Sequence, residues 1–415
     1  MGMKHASTAT APAFFPAPSF PTPAFPTPAE DRLCLIADDL TGALDTAAQF
    51  ARPDRPIDVR WDLPAAPITG DIALTTGARE VDAATAAAAV AARLAAMGDA
   101  LPSRPFLKID SLLRGNPVAE LKAAIDHMRP DATIIAPAFP AQGRLTRGGR
   151  QYVERDGETI ACTTDLAEGF RHHALPLRLC RPGEPLSAGI SLFDAENDAD
   201  LSAIVAAAKA FAGRILWCGS AGLAKALAQT RAKTLIRTLA KANASERTCA
   251  SPLAALARPV LGLFGTDHPV TRTQVDQCPD VHLAARPGDR TLASSVQDRL
   301  TTQGVALVRA DLTAGVPRDI AAGWIADLFE TLCNRIAPPA TVLVAGGETL
   351  QALCRSLHTE KLVVTGEILP GIPVSRMVGG HFDGVTVISK SGAFGAPDLF
   401  QRLLQPTSVQ PQHQG

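Results

Sequence analysis

The chain has almost no net charge, no paired cysteines, no long apolar run, and neither common glycine signature of a nucleotide-binding fold. Each absence excludes something. Lys and Arg number 40 against 41 Asp and Glu, a formal net charge of -1. An overall basic field that would gather nucleic acid is therefore missing. The eight cysteines (Cys34, Cys162, Cys180, Cys218, Cys249, Cys278, Cys333 and Cys354) are scattered, with no C-x-x-C and no Cys/His group at zinc spacing. Several sit in apolar runs such as LCLIA and ILWCG. They read as buried free thiols of a reducing compartment, which places the protein in the cytoplasm. No run is long enough to cross a bilayer, so a membrane partner is not expected. The first 30 residues lack a basic segment followed by a continuous apolar one, which argues against a signal peptide. Their recurrent prolines oppose helix and sheet, and predict a disordered extension. There is no G-x-x-x-x-G-K-[ST], hence no Walker P-loop, and no G-x-G-x-x-G, hence no dinucleotide fingerprint. The nine histidines form no ligand set, and His268 in GTDHPV reads as a turn residue.

A length of 415 residues favours two domains, and 46% hydrophobic with 20% charged residues suits two full cores. From residue 31 onward, short β-branched runs alternate with alanine-rich helical stretches. LCLIA (33–37), IDVRW (57–61), DIALTT (71–76), FLKI (106–109), ATIIA (132–136) and RILWC (214–218) read as strands. A polar, proline-flanked segment at about 240–258 separates them from PVLGLFG, GVALVRA, TVLVA, KLVVT and VTVIS. Strands alternating with helices imply an α/β fold: two α/β domains with mainly parallel sheets and the active site in the cleft between them. The expected division is a disordered extension over 1–30, a first domain over 31–245, a second over 246–403, and a flexible tail over 404–415. Association into a homodimer is left open by the sequence.

Three motifs in the first half carry chemistry. In IADDLTGALDTAAQFA, Asp38 and Asp39 fall where a strand ends and a helix begins, the edge at which open α/β sheets bind ligands. Adjacent acids repel unless a cation, a substrate hydroxyl or a metal compensates; one of the pair is also a natural helix cap. Asp45, deeper in the helix, ranks lower because it can pair locally. In LKIDSLLRGNPVAEL, one strand delivers Lys108, Asp110, Ser111, Arg114 and Gly115 into a single turn, which makes an anion pocket. APAFPAQGRLTRGGRQYV reads as a lid or binding loop with Arg144 and Arg147, or as an exposed basic loop. The second half carries glycine turns after strands: FGTDHPVT, AGGETLQAL and SKSGAFGAPDLF. Gly346 and Gly347 precede a helix that starts near Thr349, a start that can cradle phosphate. Gly392 and Gly395 offer a second close approach beside Lys390.

These blocks, in the order IADDLTGALDTA, KIDSLLRGN, PAFPAQGR, GSAGLAKAL, AGGET and KSGAFG, resemble the four-carbon acid sugar kinases over about residues 32–402. The resemblance implies ATP-dependent phosphorylation of D-threonate, D-erythronate or 3-oxo-tetronate at the terminal hydroxyl. It also implies a sugar-acid domain followed by a nucleotide domain. Asp38 and Asp39 match the family's paired acids. Arg79 in TTGARE matches an arginine that usually follows serine, where this chain has Ala78. Lys108, Asp110, Ser111 and Arg114 match its Lys-x-Asp-Ser and Arg-Gly block. Thr266 stands where Ser is commoner, and Ala393 where Asn is commoner. Gly346, Gly347, Glu348, Thr349, Gly392 and Gly395 match the nucleotide turns. The Asp45–Thr46 pair is closer to the threonate type.

The mechanism expected from this is in-line phosphoryl transfer with ATP and Mg²⁺. Arg79, Lys108, Ser111, Arg114 and Gly115 hold the acid, and Asp38, Asp39 or Asp110 takes the hydroxyl proton. A non-catalytic binder of an anionic metabolite and a metal-dependent sugar-acid aldolase or dehydratase are the competing classes, and ATP dependence separates them.

Overall fold

The computed structural model describes residues 32–405 apart from 64–67, 69, 98–103, 156, 241–255, 287 and 313–315. The expected N-terminal extension, the boundary near 245 and residues 406–415 of the expected tail lie outside them.

The first half runs β1 (Leu33–Ala37), α1 (Leu40–Phe50), β2 (Ile57–Arg60), β3 (Ile72–Thr75), α2 (Ala83–Ala95), β4 (Arg104–Lys108), α3 (Pro117–Met128), β5 (Ala132–Ala136), β6 (Arg144–Arg147), β7 (Arg150–Arg155), β8 (Glu158–Ala161), α4 (Leu166–His172), β9 (Leu177–Cys180), β10 (Gly189–Phe193), α5 (Asp198–Ala208), β11 (Ile215–Gly219) and α6 (Ala221–Ala240). The second half runs β12 (Val260–Phe264), α7 (Pro269–Asp276), β13 (His282–Ala285), α8 (Leu292–Gln303), β14 (Val305–Ala310), α9 (Arg318–Cys333), β15 (Thr341–Ala345), α10 (Gly347–Ser356), β16 (Lys361–Leu369), β17 (Ile372–Val378), β18 (Thr386–Lys390) and α11 (Leu399–Leu404). Leu404, expected to open the tail, closes α11.

The apolar runs become strands because both faces of the sheet are covered: every residue of β1, β5, β12 and β15 is buried. The two halves keep their strands together but share one sheet. Its order among the described residues is β13-β14-β12-β15-β18-β17-β16-β2-β3-β1-β4-β11-β5-β10-β9. Most pairs are parallel. The seam is antiparallel: Ile57 pairs with Val364 and Val59 with Leu362, and Lys361 Nζ reaches Asp58 at 2.6 Å across it. Strand–helix alternation does not foresee this stretch, because β16, β17 and β18 succeed one another without a helix and so must reverse.

The segment expected to be a loop at 136–153 is partly a second, three-stranded antiparallel sheet, β6-β7-β8. Gly148 and Gly149, at φ 59° and 75°, make the tight reversal between Arg147 and Arg150. All four residues of β8 are exposed, so no buried face announces that strand in the sequence.

Strand register positions the site. Ala37 lies level with Thr75 and with Lys108, and Lys108 with Gly219, so the loops after β1, β3, β4 and β11 open on one edge. In the second half Phe264 lies level with Ala345, and Ala345 with Lys390. Helix α1 packs on β1, β2 and β3 of its own half and on β16, β17 and α10 of the other. Its buried Leu40, Ala43, Leu44, Ala47 and Ala48 repeat at helical spacing. Seven cysteines are buried and unpaired among the described residues; burial pushes the Cys34 thiol up to about 12. Among the described residues no helix is long and apolar enough to cross a membrane.

Candidate active site

The two sets of strand ends face a common cavity of about 1370 Å³, with α1 and α10 on opposite walls. Every sequence-expected site residue lines it except Gly115 and Gly395. Gly115 works from behind. Its φ is 80°, and a Cβ there would stand 3.4 Å from both the Arg79 carbonyl oxygen and Asp38 Oδ2. Gly395, at φ 90°, would press a Cβ to 2.6 Å from Leu399 and shapes its loop from outside the cavity.

On the first-half wall the charges form one tied frame. Arg79 donates from Nε and Nη2 to the two oxygens of Asp38, at 2.6 and 2.7 Å, and from Nη1 to Asp39 Oδ2 at 2.6 Å. Arg114 grips both oxygens of Asp110, at 2.9 and 2.8 Å. Asp39 is the helix cap foreseen for one of the pair: its Oδ1 accepts from the Gly42 N–H at 2.7 Å, and Thr41 Oγ1 donates to its Oδ2 at 2.7 Å. Burial pushes the Asp38 carboxyl up, with Asp39 adding and Arg79 opposing. Burial alone would raise Asp110 as well, but hydrogen bonds from Arg114 and the charges of Arg79 and Arg114 hold it well below the usual carboxylate range.

Asp38, Asp39 and Asp110, the three carboxylates expected to take the hydroxyl proton, are all drawn into this frame. Each accepts a guanidinium hydrogen bond, and for Asp110 that donor makes the carboxylate a weaker base. Arg79, expected on the substrate, lines the cavity while its guanidinium nitrogens donate to Asp38 and Asp39. Arg114 keeps 58% of its side chain exposed and presents its outer N–H groups to the cavity. Of the loop arginines, Arg144 lines the cavity, whereas Arg147 is bound by Glu196 at 2.9 and 2.6 Å on the exterior.

Lys108 is buried at the end of β4. It lies over α1 where Gly42 leaves room; a Cβ on Gly42 would come within 3.0 Å of Lys108 Nζ and 2.6 Å of Asp39 Oδ1. Glu120, in the first turn of α3, is 2% exposed and its Oε1 has no partner. Burial, then the nearby Asp38, pushes it up to about 8, so it stands behind the frame as a neutral acid.

The second-half wall is backbone. Gly346 has φ 100° and ψ 130°, a conformation glycine alone adopts readily, and α10 begins beyond it without a side-chain cap. Thr266 and Gly392 adjoin: a Cβ on Gly392 would stand 2.9 Å from Thr266 Oγ1. A Cβ on Gly347 would stand 2.9 Å from Thr41 Oγ1 and 3.4 Å from Asp39 Oδ2, so the start of α10 abuts the acid frame directly. Beneath the last turn, Lys390 Nζ donates to Thr271 Oγ1 at 2.9 Å and to the carbonyls of Ser391 and Gly392 at 3.1 and 3.3 Å. Burial lowers Lys390 to about 7. Lys390 lines the cavity, although sequence reasoning assigns it only a supporting place beside two glycines.

Two family models match the chain: a sugar-binding N-terminal domain over residues 33–177 and a nucleotide-binding C-terminal domain over 261–400. A D-threonate kinase of Cupriavidus necator is 31% identical, covering 87% of this chain and 94% of its own length. A D-threonate kinase of Bordetella bronchiseptica is 29% identical, covering 89% and 96%. More distant relatives bear the names D-erythronate kinase and 3-oxo-tetronate kinase. A solved structure from Salmonella typhimurium LT2, described as a putative tRNA synthase, superposes with a TM-score of 0.69 at 20% identity, covering 89% of this chain and 98% of its own, and so shares the fold.

Proposed function

The chain belongs to the four-carbon acid sugar kinase family, and we propose that it transfers the terminal phosphoryl group of ATP to the terminal hydroxyl of D-threonate, D-erythronate or 3-oxo-tetronate. The observation that carries this reading is the meeting of the two walls. The glycine-rich start of α10 lies against Thr41 and Asp39, so a phosphate received at that turn faces the charged frame of the other half.

The geometry supports the following roles. Thr266, Gly346, Gly347, Glu348, Thr349 and Gly392 receive the nucleotide, with Lys390 adding charge beneath them. Arg114 and Lys108 hold the acid's carboxylate and hydroxyls, with Ser111 beside them. Arg79, tied by Asp38 and Asp39, is a positioning residue that keeps those acids from repelling each other. Among the described residues no group of three or more His, Cys, Asp or Glu could hold a metal by itself. Mg²⁺ brought on nucleotide phosphates needs only one or two protein carboxylates. Asp39, beside the start of α10, fits that part, and the ion would neutralise charge on the transferring group. The buried thiols fit a reducing, cytoplasmic setting.

The test is ADP release coupled to a spectrophotometric readout, with Mg-ATP and a panel of D-threonate, L-threonate, D-erythronate, L-erythronate and 3-oxo-tetronate. Acid-dependent turnover on one or two members is expected. Folded protein that binds ATP and an acid without turnover would instead mark a binder.

A further inference from the structure

Four aspartates line the first-half wall of the cavity: Asp38, Asp39, Asp45 and Asp110. Guanidinium groups engage three of them. The fourth differs. Asp45 Oδ1 accepts from Thr46 Oγ1 at 2.9 Å, and Oδ2 accepts no hydrogen bond from any described residue.

Helix geometry places Asp45 toward the reaction. It lies one turn beyond Thr41, on the same face of α1, and Thr41 is the residue against which Gly347 packs. That face therefore runs from the nucleotide turn into the acid pocket, with the Lys108 ammonium laid across it at Gly42. The charged groups that act on Asp45 are Lys108 from the end of β4, Asp39 at the head of α1 and Arg79 from the loop after β3. From the opposite elements, Glu348 of α10 lines the same cavity, and Glu367 of β16 is held by Gln49 at 2.7 Å, one turn further along α1.

We propose that Asp45 is the catalytic base that takes the proton of the attacking substrate hydroxyl. The proposal rests on the kinase reading above. The hydroxyl oxygen forms its bond to the γ-phosphorus, the bond from that phosphorus to the β–γ bridging oxygen breaks, ADP leaves, and the hydroxyl proton passes to Asp45 Oδ2. The proton then returns to solvent through the open cavity. Burial pushes the Asp45 carboxyl up to about 6, against the pull of Lys108 and Thr46. It is thus ionised at pH 7 while remaining more basic than a surface aspartate, the range in which a general base works best.

The test compares wild type, Asp45→Asn and Asp45→Glu, with the acid that wild type turns over. Expected for Asp45→Asn is a fall in kcat on the order of 10²-fold, with ATP and acid dissociation constants within about threefold of wild type. In wild type, log kcat should fall as pH drops below about 6, because the base then carries a proton. Asp45→Asn should lose that limb, and Asp45→Glu should restore part of kcat together with the limb. Wild-type kcat in Asp45→Asn, or a reduced kcat that keeps the acid limb, overturns the assignment while leaving the kinase reading intact. Wild type that releases no ADP with any acid overturns both.

Discussion

Arg79→Ala is expected to lose most of its turnover on the acid and to unfold well before wild type. The side chain is only 13% exposed and neutralises Asp38 and Asp39 at 2.6 Å, with Asp110 at 3.7 Å. Removing it leaves adjacent carboxylates facing each other without a counter-charge. Breaking a buried pair from one side costs about 3–5 kcal/mol, and the loss in kcat/KM for the acid should be on the order of 10³-fold. The stability deficit has a pH signature. Asp38 is already raised above the ordinary carboxylate value, and without Arg79 it rises further. A carboxyl with a raised folded-state pKa destabilises most above that pKa, and the penalty is relieved as pH falls through it. The melting-temperature gap between Arg79→Ala and wild type should therefore narrow on going from pH 8 to pH 5. A constant gap would mean that Arg79 supports the fold through packing alone.

Lys390→Met should separate the two walls kinetically. Lys390 is 3% exposed and its ammonium is the charge beneath the Gly392 turn. A charge-assisted hydrogen bond to phosphate contributes about 1.5–3 kcal/mol, so kcat/KM for ATP should fall roughly 10²-fold while KM for the acid holds. Because burial lowers Lys390 to about 7, the charged form dominates below that pH and is lost above it. Wild-type KM for ATP should accordingly rise between pH 6 and 8, and Lys390→Met should show a flatter profile. An equal loss in acid and ATP kinetics would place Lys390 in the frame of the fold instead of at the nucleotide.

Much of this site is legible in the sequence because it sits at the ends of fully buried strands. LCLIA, ATIIA and TVLVA announce themselves as apolar runs, and the loop leaving each run stands by geometry at a sheet edge open to ligand. The edge strands β9 and β13 are less legible, since they are short and half exposed. The β6-β7-β8 arm is hidden by its polar composition, since the exposed β8 has no apolar alternation to mark it. The seam between the halves is illegible for another reason: pairing of Ile57 with Val364 depends on two segments far apart in the chain, and no local pattern encodes it. The same limit applies to Asp45. A helix position gains or loses importance with the direction in which the helix faces, and the face α1 turns to the cavity is set by its packing on β16 and β17 and by α10 across the site, contacts that no local pattern encodes. The paired acids suggest a base; only the geometry shows that both are already held by arginine.

The most direct measurement tracks the label from γ-³²P-ATP during incubation with Mg²⁺ and each four-carbon acid. Label recovered in an acid-stable phosphate ester of one acid, with ADP formed in equal amount, is the expected result. Label recovered only as inorganic phosphate, at a rate that no acid changes, would contradict phosphoryl transfer across this cavity.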